Sequence, residues 1–164
     1  MAPVVARGLR LETKSGKSPL VYPSSDDVQR FTLSSRHFAD VPFEPNDTYF
    51  AETKTTKRTG ETGRTLKKPR VIITPGAEPG TIAFLDWHRT GPDALYIDYM
   101  RVRRDLRGEG FGRQLVADFY ETVVGPSRAR YVDWGRVMSE AAWKVYEEAR
   151  RRYPDVHHHG KVYF

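Results

Sequence analysis

Cysteine is missing from all 164 residues of this chain, which removes disulfides, thiolate-bound metals and a cysteine nucleophile from its chemistry. Also missing are an N-terminal apolar segment of signal-peptide type and any apolar run of the ~20 residues needed to cross a bilayer, so the expectation is a cytoplasmic protein with no membrane partner. The excess of basic over acidic residues is greatest in one segment. Residues 54–70 carry Lys54, Lys57, Arg58, Arg64, Lys67, Lys68 and Arg70 against the single acid Glu61, a net +6, while the whole chain has 27 basic and 21 acidic residues, also +6. The remainder is therefore neutral. That segment has no aromatic residue and cannot build a core, so it is expected to be a loop or a long hairpin arm. Two readings stay open for it: a solvated surface loop, or a clamp for a polyanion such as RNA, DNA or the phosphates of a cofactor. Base stacking is not indicated.

What the chain does have is 12% aromatic residues, enough for a packed globule despite a mean hydropathy of −0.64. At this length a single domain with a real core is expected. Leu9 and Leu11 alternate with charged residues and suggest a first edge strand. Ser24 to Asp27 resembles a helix cap, and Val28, Phe31, Leu33 and Phe38 suggest one or two short helices ending near Ala39. Strands are expected at Thr48–Thr53, in the short run Val71–Ile73, at Gly80–His88 and at Ala94–Val102, the last two joined by the turn Thr90-Gly91-Pro92-Asp93. Gly110 to about Val124 reads as a helix closed by Gly125-Pro126. A strand at Ala129–Trp134, a helix at Ser139–Arg152 and a strand at Gly160–Phe164 complete the order, which gives an α/β (α+β) protein with a mixed, mostly antiparallel sheet flanked by helices.

The most informative residues are Arg107-Gly108-Glu109-Gly110-Phe111-Gly112, set between a strand and a helix. A helix N-terminus presents unpaired N–H groups and partial positive charge, and glycine lets the backbone take φ > 0 and approach an anion closely. The turn therefore reads as a phosphate cradle. A Walker loop needs Lys-Ser/Thr after its last glycine, whereas Arg113-Gln114 follows Gly112; a dinucleotide fingerprint needs Gly-x-Gly-x-x-Gly, and this interval differs.

The remaining pattern, Arg-x-x-Gly-x-Gly, resembles the coenzyme A pyrophosphate loop of the GNAT (GCN5-related N-acetyltransferase) superfamily. Ser139-Glu140-Ala141-Ala142-Trp143-Lys144-Val145-Tyr146 is similar to that family's later helix at Ala142, Val145 and Tyr146. It differs in having Ser139 for the usual Asn and no Gly-Phe after the tyrosine. The resemblance spans about residues 80–150 and implies acetyl-CoA or another acyl-CoA as donor, with direct transfer to an amine. It implies that main chain from Arg107 through Gly108, Glu109, Gly110, Phe111 and Gly112 holds the pyrophosphate, with charge from Arg107 and Arg113. It also implies that main chain at Met100, Arg101 and Val102 binds the pantetheine arm, and that Tyr146 protonates the leaving thiolate. The family usually ends in a two-strand hairpin, and here one strand is expected.

Asp98 lies in an otherwise apolar strand just before the loop, where partial desolvation would raise its pKa into the range of a general base. It could equally pair with Arg101 or bind an acceptor cation, and Asp86 and His88 are weaker candidates for the same role. His157-His158-His159 points in alternating directions along an extended segment, so no metal site is expected. The acceptor is open: a small amine, a peptide or a nucleic acid held by the basic arm, with a binding module that has lost catalysis as a further alternative. Edge strands leave a homodimer open.

Overall fold

The computed structural model describes residues 9–18, 27–43, 48–56, 65–73 and 76–164. The chain divides into two compact units, Glu44–Gly76 and the remainder. The smaller unit is a two-stranded antiparallel sheet of β3 (Thr48–Thr56) and β4 (Thr65–Ile73), whose register sets Lys54 opposite Lys67, Thr53 opposite Lys68 and Ala51 opposite Arg70. Of the two forms expected for the basic segment, a loop or a long hairpin arm, its described residues take the second, and the apolar run at 71–73 is the end of β4. Lys57, Arg58 and Arg64 lie outside the described residues.

The larger unit is built on a six-stranded sheet of β1 (Glu12–Lys17), β2 (Gln29–Ser34), β5 (Thr81–Gly91), β6 (Ala94–Val102), β7 (Tyr131–Val137) and β8 (His157–Val162), side by side in that order. The first three neighbouring pairs are antiparallel and the last two parallel. Each parallel pair is joined through a helix, α1 (Phe111–Phe119) between β6 and β7 and α2 (Glu140–Arg152) between β7 and β8. Two successive crossovers of one hand place both helices on one face of the sheet. There α1 packs on β2, β5 and β6, and α2 on β7 and β8. The expected mixed, mostly antiparallel sheet with helices is what forms.

Two expectations at the N-terminal side are corrected. The first strand falls on the fully exposed Glu12–Lys17, while Leu9 is buried just before it. Residues 29–34 form a strand in place of the expected helices, with only a 3₁₀ turn at Arg36–Phe38. Phe31 and Leu33 are fully buried toward the helices, while Arg30 faces the other side beside Asp86. The residues alternate with the period of two that a strand requires, and Val28 had lent them a helical spacing.

Aromatic side chains fill the helix-side core. Phe119 meets Phe31 edge-on, with centroids 5.9 Å apart, and Trp87 at the same distance. The α1 helix does not stop at Phe119 but passes into a π turn, Tyr120–Val124, where the Gly125 N–H reaches the Tyr120 carbonyl (2.8 Å). The wider turn leaves Tyr120 stacked on Tyr153 (4.5 Å) with its hydroxyl accepting from Trp134 Nε1 (3.1 Å). A helix register shift of this kind is a common place for a side chain to be redirected. Ser139 caps α2, its hydroxyl accepting from the Ala142 N–H at 3.1 Å.

The opposite face is buried but polar. Arg30 holds Asp86 through two bonds, Nε to Oδ1 at 2.8 Å and the terminal nitrogen to Oδ2 at 3.0 Å, with the guanidinium 3.9 Å from the centre of the Phe84 ring. A buried ion pair of this kind costs much to break, because the remaining charge stays in a poor solvent. Asp86→Ala is expected to lower unfolding free energy by about 3–5 kcal/mol in urea titrations; a change within the scatter of surface substitutions would show that the pair is not buried in solution.

Candidate active site

The β6 strand is paired along its whole length with β5 but with β7 for three residues only, Ala94 with Tyr131, Leu95 with Val132 and Tyr96 with Asp133. Beyond Tyr96 the two parallel strands separate. The cause lies in β7. Gly135 takes φ +59, held by its N–H donating to Asp133 Oδ1 (2.7 Å), and the β7–β8 register slips between Asp133 and Arg136. This is a glycine bulge, which bends a strand out of its ladder. The Tyr96 hydroxyl lies where a side chain on Gly135 would be, since a Cβ there would fall on it. Residues 97–102 of β6, which include Met100, Arg101 and Val102, therefore run beside an opening.

The same strand leads directly into the glycine turn. The Arg103 N–H donates to the Ile82 carbonyl (2.7 Å), Leu106 is buried, and the chain then passes Gly108 at φ +83 and Gly110 at φ +89. A Cβ on either glycine would meet no atom within 4 Å, so what demands glycine is the left-handed backbone and the space above it is open. Gly112 serves differently: a Cβ there would lie 3.4 Å from Val102 Cγ2, which is how closely the first turn of α1 approaches the end of β6. Gly110 is the N-cap of α1 and no side chain caps that helix. Phe111 is buried in the core, so only its main chain can face the turn. Glu109 sits between the two left-handed glycines.

Of the basic residues at the turn, Arg107 donates through Nε to the Val102 carbonyl (3.1 Å), tying the loop to the strand end. Arg113 is gripped by Glu148 of α2, with both nitrogen–oxygen distances at 2.7 Å. That ion pair raises the Arg113 pKa and lowers that of Glu148. Arg113 thus points along the helix pair, and its implied phosphate contact would require exchange of this partner. Arg101 is buried with its guanidinium 5.0 Å from the Phe43 ring centre, while Met100 and Val102 pack partly into the core.

Asp98 is the extra residue of a bulge in β6, since Asp86 opposes Tyr99 and Trp87 opposes Ile97. Its Oδ2 is 2.7 Å from His88 Nδ1, with both side chains almost fully buried. The pairing with Arg101 does not form. Burial raises the Asp98 pKa, the His88 hydrogen bond and charge lower it, and Asp86 raises it again. On the helix side, Tyr146 is buried against Trp134 (5.5 Å, edge-on) and Trp143 (4.9 Å). Its ring lies on Gly160 of β8, where a Cβ would come within 2.7 Å. Burial raises its pKa, Arg150 lowers it, and Glu147 and Asp133 raise it.

Sequence reasoning missed Tyr96 and Gly135. Neither carries a local signal, because their meeting depends on the pairing of β6 with β7 across an intervening helix. Of the three histidines, His157 stacks on Tyr131 (5.3 Å), His158 stacks on Tyr120 (5.6 Å) and His159 is exposed. Among the described residues no group of histidine and carboxylate side chains could hold a metal, and no helix is long and apolar enough to cross a membrane.

No family model and no curated protein matches the chain. Among solved structures it is similar to a proposed streptothricin acetyltransferase from Bacillus anthracis strain Ames in complex with acetyl coenzyme A. The TM-score is 0.36 and the identity 12%, over 76% of this chain and 71% of that one. A likeness of that size carries no weight for function.

The raised pKa of Asp98 has a measurable sign. A carboxyl whose folded pKa exceeds its unfolded value, about 3.9, contributes stability that is complete below that value and is lost as pH rises through the folded one. The stability difference between wild type and Asp98→Asn should therefore shift against wild type as pH rises through that window. A difference that stays flat would show that Asp98 is not desolvated.

Proposed function

We propose that the chain is an acyl-CoA-dependent acyltransferase that moves an acetyl or other acyl group directly to an amine held in the same complex. The observation that carries this reading is the continuity of one strand: β6 leaves its β7 partner after Tyr96 and feeds, within a few residues, into a turn with two left-handed glycines at the start of α1. An extended donor with amide groups in its arm and a pyrophosphate at its end needs those two things in that order.

In this reading the N–H groups of Gly108 to Gly112 hold the pyrophosphate, with the positive end of α1 behind them. In support, a Cβ built on Gly108 or Gly110 would meet no atom within 4 Å, so no side chain or backbone covers the turn at those two points. Main chain of Met100 to Val102 lies along the amide arm and offers N–H donors to the oxygen that becomes negative as the amine attacks. A fixed donor of that kind is worth about 3–4 kcal/mol. An acyl-CoA supplies an activated thioester; orienting it beside the amine supplies much of the remaining acceleration. Asp98, oriented by His88 and with its pKa raised by burial, takes as a carboxylate the proton lost by the amine.

The nucleic-acid reading of the acceptor has its own support in the β3–β4 hairpin, whose register sets two lysines, Lys54 and Lys67, directly opposite each other.

Calorimetry with acetyl-CoA is the first test. Wild type is expected to bind, and Gly110→Val, which cannot hold φ near +89, to lose binding while the aromatic core stays folded; no binding by wild type at millimolar donor would end this reading. For the hairpin, RNA affinity should fall steeply between 50 and 200 mM salt. Binding insensitive to salt, or unchanged when residues 55–67 are deleted, would leave the hairpin without that role.

A further inference from the structure

Two phenols flank β7 from opposite faces of the sheet, and they are not equivalent. Tyr146 comes from the helix side with its ring enclosed by Trp134, Trp143 and Gly160. Tyr96 belongs to β6 itself. Its neighbours Leu95 and Ile97 point into the helix-side core, so Tyr96 faces the other way, and it is only partly buried. Its hydroxyl lies against Gly135 at the point where the strands part. Its position is fixed from three sides: it is the last residue of β6 paired with β7, it opposes His88 across β5 with rings 5.4 Å apart, and it abuts the bulge.

Resting on the donor reading above, we propose that Tyr96 is the hydrogen-bond donor to the sulphur end of the donor, and that Tyr146 is a wall of the site. Geometry supports this assignment first, because a hydroxyl at the mouth of the fork meets what enters it, whereas Tyr146 lies in an aromatic nest. The surrounding charges act in the same direction. Burial, then Asp133, then Asp98 raise the Tyr96 pKa, and Arg136 lowers it. Asp98 is in turn held by His88 at 2.7 Å. Tyr96 therefore keeps its proton at working pH and faces the sulphur as a neutral hydrogen-bond donor. In the transfer, the amine nitrogen forms the new bond to the acyl carbon and gives its proton to Asp98. The carbon–sulphur bond breaks with its electron pair on sulphur, and the Tyr96 hydroxyl donates a hydrogen bond to the thiolate so formed, keeping its own proton. The thiolate leaves or takes a proton from water, and Asp98 returns its proton to water, so both groups end as they began.

The test reads binding and needs no acceptor. An ordinary thiol ionises near pH 8.5, about two units above the lower end of a titration run from pH 6.5 to 9.5. Affinity for coenzyme A with its free thiol is measured by calorimetry over that range for wild type, Tyr96→Phe and Tyr146→Phe, beside acetyl-CoA, which has no ionisable sulphur. Wild type should bind coenzyme A more tightly as the thiolate forms. Tyr96→Phe should lose that gain, about tenfold at the alkaline end, with acetyl-CoA affinity little changed, and Tyr146→Phe should keep it. If Tyr96→Phe gains affinity with pH as wild type does, or Tyr146→Phe loses the gain to the same extent, the assignment of Tyr96 is overturned. Absence of binding by wild type to either ligand would instead remove the donor reading on which it rests.

Discussion

The early separation of β6 from β7 is the constraint on which the rest of the larger unit depends. Parallel neighbours joined by a right-handed crossover would ordinarily stay paired for the length of the shorter strand. Here pairing ends after three residues because Gly135 adopts a left-handed conformation fixed by the Asp133 carboxylate, and because the Tyr96 hydroxyl fills the space a side chain would need. The slip repeats in the β7–β8 register, so the bulge bends β7 as a whole and both of its ladders. One left-handed glycine, one short hydrogen bond and one tyrosine hydroxyl are all that this requires. The outcome is a sheet that is continuous at one end and open at the other, with the open end leading into the glycine turn.

The two faces of the sheet solve different problems. The helix side is apolar and aromatic, and its close packing sets α1 and α2 in place, with Arg113 and Glu148 joining the helices at the surface. The other side holds a row of buried polar groups, Arg30 with Asp86 and His88 with Asp98, drawn from β2, β5 and β6. Burying such groups without partners would cost several kcal/mol each. Pairing them across neighbouring strands makes the burial tolerable and fixes each carboxylate in one orientation. The β6 bulge turns Asp98 toward His88 and away from the Arg101 partner that strand spacing alone would suggest. A carboxylate so held beside an open strand edge can serve proton transfer, whereas an exposed one would titrate as in water.

How much of this was legible in the sequence depends on how local each feature is. The glycine turn, the β5–β6 hairpin and the Ser139 cap are written in adjacent residues, and each formed within about three residues of its expected place. At Gly108 and Gly110 even the physical reason, positive φ, could be read from composition. The β2 strand was not legible, because Val28, Phe31 and Leu33 fit a helical spacing and only the partner strands decide for an alternation of Arg30, Phe31, Thr32 and Leu33. Tyr96 could not be found at all: three residues of parallel pairing and a glycine 39 positions later define its surroundings, and no window of sequence contains both. The basic segment announced itself by charge, and its composition suited a loop and a hairpin arm equally, so only the pairing of β3 with β4 decides between them.

In the proposed function, β6 beyond Tyr96 and the glycine turn form one continuous surface for one ligand. Amide hydrogen exchange with and without coenzyme A tests it most directly. Exchange is expected to slow in two connected stretches, residues 97–102 and 108–113, with β1, β2 and the β3–β4 hairpin unchanged. Protection confined to the hairpin, or none in β6 while the turn alone is protected, would contradict it.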